Sequence, residues 1–407
     1  MNRLCIASLV LLICFVTGCN AEQAASTKTS QQDATQLAPA GRGPYSVGST
    51  NMEVAPEFAE IGDDAMHAFL LGVPTESGQS RYVADILKYP EAAWVTDVVV
   101  PDDATLFGPA SGQSLPVVTF LTYPSSVRQH KDSYAFPYHD GQYGVFEDML
   151  GPGEAPSFAD PDARYPLVIL AHGASAHGIF DVRHAHDLAS HGYIVAVLNY
   201  GDDRTARPEA LNPHVGFLRP LLTRAVLDAV LKSESFGPHV DAENIGISGH
   251  SFGGFTALAV TGGQYLGNAE TVNDPRIKAG VIAAPWVGGN YDGNDLFAFG
   301  PDNSGLSLVT APMISFFSWK DEATLASFIL PALKQLSGPR YVVELVDQPH
   351  VFEGGSWQDR DGWEKLFFDA YLKNEAAALE ALQHGRSMQG GNEDRQLFDY
   401  QRLPASD

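Results

Sequence analysis

Ser251 lies in a segment whose residue types are typical of an activated nucleophile. The segment reads Gly249-His-Ser-Phe-Gly-Gly254, with a short apolar strand pattern before it and a helix pattern, Phe252 to Val260, after it. A Gly-x-Ser-x-Gly between a strand and a helix predicts a nucleophile elbow, in which side chains two positions from the serine would collide. The new helix directs its N-terminal N–H groups at the serine. The predicted chemistry is attack of a hydroxyl on a carbonyl carbon.

His350 is the predicted base for this serine. A serine hydroxyl is a poor nucleophile at neutral pH and needs a base, usually a histidine held by a carboxylate. In a parallel sheet the ligand crevice lies beyond the carboxyl ends of the strands, so the partners of Ser251 are expected in loops after later strands. The last strand pattern, Tyr341 to Leu345, is followed by Val346-Asp-Gln-Pro-His350. The alternative is a solvent-exposed loop histidine.

Asp321 is the predicted carboxylate partner of His350. It follows the strand pattern from Pro312 to Phe317 after a short turn. A buried carboxylate there would raise the histidine's pKa and select its tautomer. The alternative is a solvated loop charge beside Lys320. Glu322, the next residue, is the first alternative for the acid, and Asp292, Asp295 and Asp347 are further alternatives.

Two backbone N–H groups are expected to form the oxyanion hole. One belongs to Phe252, directly after the nucleophile. The other belongs to Ala174, because His172-Gly173 follows a buried strand pattern, Leu167 to Ala171, and lets the backbone bend toward the serine. Each such donor contributes about 3 kcal/mol in the transition state.

Several other kinds of site are not expected from this sequence. His184 and His186 are two residues apart on a predicted helix, so they face different directions and predict no metal site. No Gly-x-Gly-x-x-Gly and no phosphate loop with lysine occur, so no nucleotide cofactor is implied. The formal charge of −24 leaves no visible basic face for nucleic acid.

The N-terminus predicts an exported protein. Arg3 and the apolar run from Leu4 to Val16 form a short signal-type segment. It ends in Val16-Thr-Gly-Cys19, which resembles the bacterial lipobox, and Cys19 would then carry a lipid anchor to the membrane. Asn20 at the second mature position favours outer-membrane sorting in the cell envelope. The alternative is an ordinary cleaved signal and a fully secreted protein.

The elements that position the candidate residues alternate between strands and helices. Val95 to Val100 and Leu115 to Tyr123 suit antiparallel strands that open a sheet, and glycine-punctuated strands and helices follow from Leu167. This alternation predicts an α/β class with a mostly parallel central sheet covered by helices on both faces. The expected division is a signal peptide (1–18), a disordered tether (19–43), a catalytic domain (44–385) and a polar, frayed tail (386–407).

With these residues placed, the chain resembles the α/β-hydrolase superfamily, and within it the dienelactone-hydrolase-like and platelet-activating-factor-acetylhydrolase-like group. The resemblance spans roughly 115–372 and implies the α/β-hydrolase fold, Ser251 as nucleophile, His350 as base, and Ala174 and Phe252 as oxyanion donors. The segments that carry it are Tyr165-Pro-Leu-Val-Ile-Leu-Ala-His-Gly173, Leu188-Ala-Ser-His-Gly-Tyr-Ile-Val-Ala196, Ile245-Gly-Ile-Ser-Gly-His-Ser-Phe-Gly-Gly-Phe-Thr-Ala-Leu258 and Asp274-Pro-Arg-Ile-Lys-Ala279.

The chain departs from parts of this group at two places. The acetylhydrolases carry their acid after the strand that follows the elbow helix, where this chain reads Ala283-Ala-Pro-Trp286, so the expectation moves to Asp321. True dienelactone hydrolases use cysteine where this chain has serine. Ala284-Pro-Trp286 is also similar to cutinase-like polyester hydrolases, whose tryptophan at that place lines the substrate cleft, so Trp286 is a candidate for lining it. His250, directly before Ser251, is a second candidate. The alternative for Trp286 is a buried structural role.

Together these features predict an exported, lipid-anchored serine carboxylesterase that acts on small or polymeric esters. The alternatives are a cutinase-like or lipase-like esterase, an acyltransferase or amidase with the same residues, and a non-catalytic binding lipoprotein on the same fold. The glycine-rich segment from Val287 to Gly305, with Tyr291, Phe297 and Phe299, is expected to form a flexible apolar rim. The segment from Pro124 to Arg164 has no assigned role, and the oligomeric state is open.

Overall fold

The computed structural model describes residues 35–56, 82–126, 134–135, 145–146, 148–174, 176–201, 214–265, 272–288 and 299–405. The strands are β1 (Thr35–Leu37), β2 (Ser46–Ser49), β3 (Trp94–Val99), β4 (Ser114–Ser125), β5 (Tyr134–Ala135), β6 (Val145–Phe146), β7 (Tyr165–Ala171), β8 (Ile194–Asn199), β9 (Val240–His250), β10 (Ile277–Ala283), β11 (Met313–Phe317), β12 (Arg340–Leu345), β13 (Gly385–Met388) and β14 (Asp394–Gln396). The α-helices are α1 (Ala104–Phe107), α2 (Val182–Ser190), α3 (Val215–Lys232), α4 (Phe252–Val260), α5 (Ala326–Lys334), α6 (Ser356–Tyr371) and α7 (Ala376–His384). Short 3₁₀ segments lie at Val83–Ile86, Pro90–Ala92, Gly108–Ala110, Gly178–Asp181, Gly237–His239, Pro301–Leu308 and Phe398–Tyr400.

The central sheet is mostly parallel, as the alternating pattern predicts. In the described part of the chain its strand order is β14-β12-β11-β10-β9-β7-β8-β4-β2, and β3 pairs with β4. Strands β7 to β12 run parallel to one another, whereas β2, β3 and β4 form an antiparallel edge and β14 pairs antiparallel with β12. The carboxyl ends of β7, β9, β11 and β12 therefore meet at one edge of the sheet.

Helices cover both faces of this sheet, because its parallel strands are apolar on both sides. Along β7, Ile169 packs into one apolar cluster with residues of α3, α4 and α5. Its neighbours Val168 and Leu170 pack into a second cluster with residues of α2, α6 and α7. Alternate residues of a strand face opposite sides, so the two clusters are the two cores of a three-layer α/β fold.

The C-terminal residues differ from the expected frayed tail. Strand β14 and the last three residues of β13 lie within the expected tail, and β14 extends the central sheet by pairing with β12. Asp394 and Gln396 are buried despite their polarity because they have partners. The buried Trp363 indole donates to Asp394 over 2.6 Å, and Gln396 donates to the carbonyl of Leu382 over 3.0 Å. Composition alone missed these buried hydrogen bonds.

The expected tether also differs at its end, since Thr35–Leu37 pairs in parallel with Gly385–Met388 and the compact unit begins at Thr35. The predicted signal peptide, Cys19 and the rest of the tether up to residue 34 lie outside the described residues. Among the residues that the structure describes, no helix has both the length and the apolar character needed to cross a membrane. The domain boundaries within 1–34 stay predictions.

Candidate active site

Ser251 occupies a strained turn between β9 and α4. Its φ is +56° and its ψ is −117°, a combination that few non-glycine residues adopt. The turn is held from both sides, because the Ser251 N–H donates to the Ala283 carbonyl over 2.8 Å and the Trp286 N–H donates to the Ser251 carbonyl over 3.0 Å. A Cβ on Gly253 would overlap the Ala171 carbonyl oxygen. Close packing of backbone on backbone therefore excludes larger residues at this position.

The structure brings Ser251, His350 and Asp321 together. The His350 Nε2 lies 2.9 Å from the Ser251 hydroxyl oxygen, and its Nδ1 lies 2.9 Å from Asp321 Oδ2. The Asp321 carboxylate is fully buried, and the His350 side chain retains 15% of its exposure. The imidazole thus bridges a buried acid and a hydroxyl at the carboxyl edge of the sheet. This is the arrangement that nucleophilic catalysis by serine requires, although the catalytic roles of the three residues stay predictions.

Asp321 is held in place by hydrogen bonds from the segment that follows it. Its Oδ1 accepts from the backbone N–H groups of Ala323 and Thr324, each over 2.8 Å, and the Thr324 hydroxyl lies 2.7 Å from Oδ2. Burial by itself would raise the pKa of this carboxyl, but the hydrogen bonds from His350 and Thr324 outweigh it and lower the pKa. Asp321 is therefore ionised at neutral pH. Nothing in the sequence marks Thr324, because its contact with Asp321 depends on the turn after β11.

The other candidate carboxylates are placed differently. Glu322 Oε2 lies 3.4 Å from the backbone nitrogen of His350, so it contacts the loop and not Nδ1 of the imidazole. Asp347 is exposed and forms an ion pair with Lys320 over 3.1 Å. Asp292 and Asp295 lie outside the described residues. Among the described candidates, Asp321 is the carboxylate seated against Nδ1.

Both segments expected to supply oxyanion donors lie next to Ser251. Phe252 is the first residue of α4, and Ala174 follows the turn after β7. A Cβ built on Gly173 would lie 3.4 Å from the Cβ of Ser251, so this turn passes directly beside Ser251. The buried Arg219 of α3 holds the same turn, since its guanidinium donates to the carbonyls of both its residues, His172 and Gly173. The signal that could have identified it is a cation in the apolar first half of α3, where Phe217 and Leu218 precede Arg219 and Leu221 and Leu222 follow it.

His250 and Trp286, the candidates for the substrate cleft, have structural contacts of their own. The His250 Nε2 lies 2.8 Å from the His350 carbonyl, and its ring lies 4.8 Å from the imidazole of His350. Burial, and repulsion from a charged His350, lower the pKa of His250 to about 3, so it is neutral and donates through Nε2. Trp286 is partly buried against the core on the α4 face. Their role in lining the cleft stays a prediction.

Phe299, expected in a flexible apolar rim, is instead buried in the core. Its ring lies 5.2 Å from that of Phe255 and 5.9 Å from that of Tyr265, within the apolar core. The expectation failed because a glycine-rich neighbourhood does not show which way an aromatic ring turns. Tyr291 and Phe297 lie outside the described residues.

His184, weighed above as a metal ligand, lies in a buried ion cluster on the other face of the sheet. Its Nδ1 is 3.0 Å from Asp361 and its Nε2 is 2.8 Å from Glu364. Burial favours the neutral imidazole, but the two carboxylates outweigh it and raise the pKa of His184 to about 10. In the described ranges, no group of three or more His, Cys, Asp or Glu side chains is placed to hold a metal ion.

Comparison with known proteins supplies one match. A family model described as "Alpha/beta hydrolase family" matches residues 168–404, which extend from β7 to beyond β14. Ser251, Asp321 and His350 all lie within the matched range. Comparison with curated proteins finds no match.

Proposed function

We propose that this chain, which belongs to the alpha/beta hydrolase family, is a serine carboxylesterase. Membership supports a hydrolase-type function, and the bond cleaved and the residues used are our proposal. One observation carries it: the His350 imidazole lies 2.9 Å from both the Ser251 hydroxyl and the buried carboxylate of Asp321. Three chemically complementary groups from separate loops seldom converge this closely without a chemical use.

The first half of the proposed reaction forms an acyl-enzyme. Asp321 accepts a hydrogen bond from Nδ1–H of His350, which leaves the lone pair on Nε2 facing the hydroxyl of Ser251. As the serine oxygen bonds to the ester carbonyl carbon, its proton moves to Nε2, and the carbonyl oxygen becomes an oxyanion. The oxyanion collapses, the bond to the alcohol oxygen breaks, and the imidazolium returns its proton to the leaving alcohol.

The second half releases the acid by the same steps with water as nucleophile. His350 takes a proton from water, the hydroxide adds to the acyl carbon, and the bond to the Ser251 oxygen breaks. The proton on Nε2 then returns to the serine oxygen, so the enzyme is regenerated. The ionised Asp321 stabilises the imidazolium in both halves, which is why its lowered pKa suits this role.

The proposal is tested by active-site labelling and turnover of the full chain. A fluorophosphonate probe is expected to label the wild type, and nitrophenyl acetate and butyrate are expected to be hydrolysed. Ser251→Ala should lose both reactions, whereas Ser235→Ala, which changes an exposed serine, should keep both. Labelling that persists in Ser251→Ala would place the reactive group elsewhere and refute the assignment.

A second candidate is a polyester hydrolase or lipase-like esterase, and the surface beside the site favours it. Trp319, two residues before Asp321, is 60% exposed, and Val351, next to His350, is 62% exposed. Exposed apolar side chains beside a catalytic centre suit an extended apolar substrate. The test compares rates on a suspended polyester film and on nitrophenyl acetate. For this candidate, Trp319→Ala should lower the ratio of the two rates; an unchanged ratio would exclude a Trp319 contact with polymer.

Three other functions are compatible with this fold. An acyltransferase or an amidase would use the same residues, and a binding lipoprotein would have the same fold without catalysis. Product analysis with added alcohol, and with an anilide in place of the ester, separates the first two from an esterase. A protein that fluorophosphonate leaves unlabelled would favour the binding lipoprotein.

The resemblance to the dienelactone-hydrolase-like group is also part of the proposal, because it supports Asp321 over an acid after β10.

We further propose that the chain is exported and anchored through lipid on Cys19. The support is the lipobox-like Val16-Thr-Gly-Cys19 after a short apolar segment. Several acyl chains would anchor it firmly, since each buried methylene contributes about 0.8 kcal/mol. Cys19→Ala should move the protein out of the membrane fraction, and a variant found wholly in that fraction would rule the anchor out.

A further inference from the structure

We propose that Arg219 is a positioning residue that orients the oxyanion donors of this site. The inference rests on the proposed serine esterase function, because only that chemistry needs an oxyanion hole beside Ser251. Arg219 lies on α3, and its side chain is almost completely buried, with 1% exposure. A buried guanidinium is costly unless its donors are used, so its hydrogen bonds show what it holds.

The guanidinium donates hydrogen bonds to two successive carbonyls of the turn after β7. Nη1 donates to the His172 carbonyl over 2.6 Å, and Nη2 donates to the Gly173 carbonyl over 3.1 Å. The His172 ring adds a second donor to the Gly173 carbonyl, because its Nε2 accepts from the Tyr200 N–H and leaves the proton on Nδ1, 2.8 Å from that oxygen. One short turn is thus held by two side chains.

These carbonyl contacts also set the direction of the N–H groups in the same peptide units. A trans peptide is planar, and its C=O and N–H point in opposite directions. The Gly173 carbonyl faces Arg219, so the Ala174 N–H in the same peptide unit points away from Arg219. The His172 carbonyl also faces Arg219, so the Gly173 N–H, which shares its peptide unit, points away as well. Ser251 lies directly beside this turn, as the position of Gly173 shows. Arg219 therefore fixes the orientation of this peptide, and our inference is that the Ala174 N–H serves as an oxyanion donor in that orientation.

Arg219 contacts the second donor segment as well. Its guanidinium carbon lies 4.9 Å from the centre of the Phe252 ring and 4.7 Å from that of Tyr200. Phe252 supplies the other expected oxyanion N–H, so one side chain braces both segments. Donors that are already oriented stabilise the developing charge without reorganising, which is the source of their catalytic effect.

The test uses Arg219→Lys and Arg219→Met in the full chain, with Arg340→Lys and Arg340→Met as matched controls. Arg340 also donates its guanidinium to backbone carbonyls, those of Tyr400, Lys334 and Leu336, but it lies at the start of β12, the end of the strand away from the site. Lysine supplies a point charge in place of the fork, and methionine removes both donors while keeping bulk. Rates on nitrophenyl butyrate are measured per active site, as counted by fluorophosphonate labelling. Affinity for a trifluoromethyl ketone, which forms a tetrahedral oxyanion adduct, is measured alongside.

The expected result is a loss in kcat of about tenfold for Arg219→Lys and about a hundredfold for Arg219→Met, the latter at the lower end of the loss that removal of a whole donor causes. KM should stay within about threefold, and ketone affinity should fall in parallel with kcat/KM. The Arg340 variants should lower the thermal midpoint but keep kcat within about twofold. If Arg219→Met does not fold, the kcat of Arg219→Lys alone tests the inference.

One result would overturn the inference alone, and another would overturn the function on which it rests. An active wild type whose Arg219 variants keep kcat within about twofold, or raise only KM, would show that Arg219 does not orient the donors. A wild type that neither turns over esters nor reacts with fluorophosphonate would instead refute the proposed function itself. The two failures are therefore distinguishable.

Discussion

Replacing Asp321 by asparagine tests which proton arrangement the site depends on. The change keeps the shape of the side chain and removes its charge. In the wild type, Oδ1 accepts from the N–H groups of Ala323 and Thr324, and Oδ2 faces Nδ1 of His350. Because both backbone groups are donors, the amide oxygen of asparagine must take the Oδ1 position. Its NH₂ group must then take the position 2.9 Å from Nδ1 of His350.

The amide would therefore present a donor at the position nearest Nδ1 and favour the tautomer of His350 with its proton on Nε2, in competition with the amide oxygen, whose Oδ1 position lies 3.1 Å from Nδ1. The hydroxyl of Ser251, 2.9 Å from Nε2, then faces an N–H in place of a lone pair and loses its base. The same exchange in a worked serine protease triad lowers kcat about 10⁴-fold, and the matching geometry here predicts a loss of that order, or about 5.5 kcal/mol. Asp321→Ala offers no amide donor, so it should lose no more activity than Asp321→Asn.

The assay is kcat/KM for nitrophenyl butyrate across the pH range, with Glu322→Gln as the matched control. Glu322→Gln makes the same charge change one residue away, and Glu322 Oε2 lies 3.4 Å from the backbone nitrogen of His350. It should keep activity within about threefold, as expected for one weak surface contact. Activity above a tenth of wild type in Asp321→Asn, or an equal loss in Glu322→Gln, would refute the assignment of Asp321 as the acid.

Two further predictions concern folding. In Gly253→Ala the new Cβ would overlap the Ala171 carbonyl oxygen, so we expect a loss of more than about 4 kcal/mol of unfolding free energy. Gly41→Ala, where a Cβ meets nothing within 4 Å, should change it by less than about 0.5 kcal/mol; similar urea midpoints for the two variants would contradict this. The pKa of His250 is lowered to about 3 from an ordinary value of 6.5, first by burial and then by His350. The unfolded chain therefore binds the proton first, and stability falls as pH drops from about 6.5 toward 3, by up to about 1.4 kcal/mol per pH unit. Urea unfolding between pH 4 and 7 should show a shallower slope for His250→Gln than for wild type, and parallel slopes would contradict the burial argument.

The class of fold could be predicted because it depends on local patterns. Buried parallel strands have continuous apolar runs, such as Leu167 to Ala171, and glycine marks their ends, so alternation with helices indicates the three-layer sheet. The residues at the ends of strands could be predicted for the same reason. Parallel strands end at one edge, which places Ser251, Asp321 and His350 near one another without any knowledge of their contacts.

Neither the C-terminal strand β14 nor the burial of Phe299 could be predicted from local patterns. Polar residues such as Asp394 and Gln396 look exposed in a sequence, and only their buried partners show otherwise. Similarly, the choice between Asp321 and Glu322 depends on which carboxylate the turn after β11 directs at the imidazole. The sequence does not distinguish these two adjacent carboxylates, because both follow β11 at nearly the same distance along the chain.

The sequence by itself determined the nucleophile motif, the strand order along the chain and the edge where chemistry could occur, because these follow from short-range periodicity and from residues without a Cβ. Only the tertiary structure decided which carboxylate pairs with His350, and that Thr324 and Arg219 support the site. Those decisions rest on hydrogen bonds only a few ångströms long between segments far apart in the chain, such as the bonds from Arg219 to the turn after β7. Hydrogen bonds have strict requirements of distance and angle, and local sequence patterns carry no record of them.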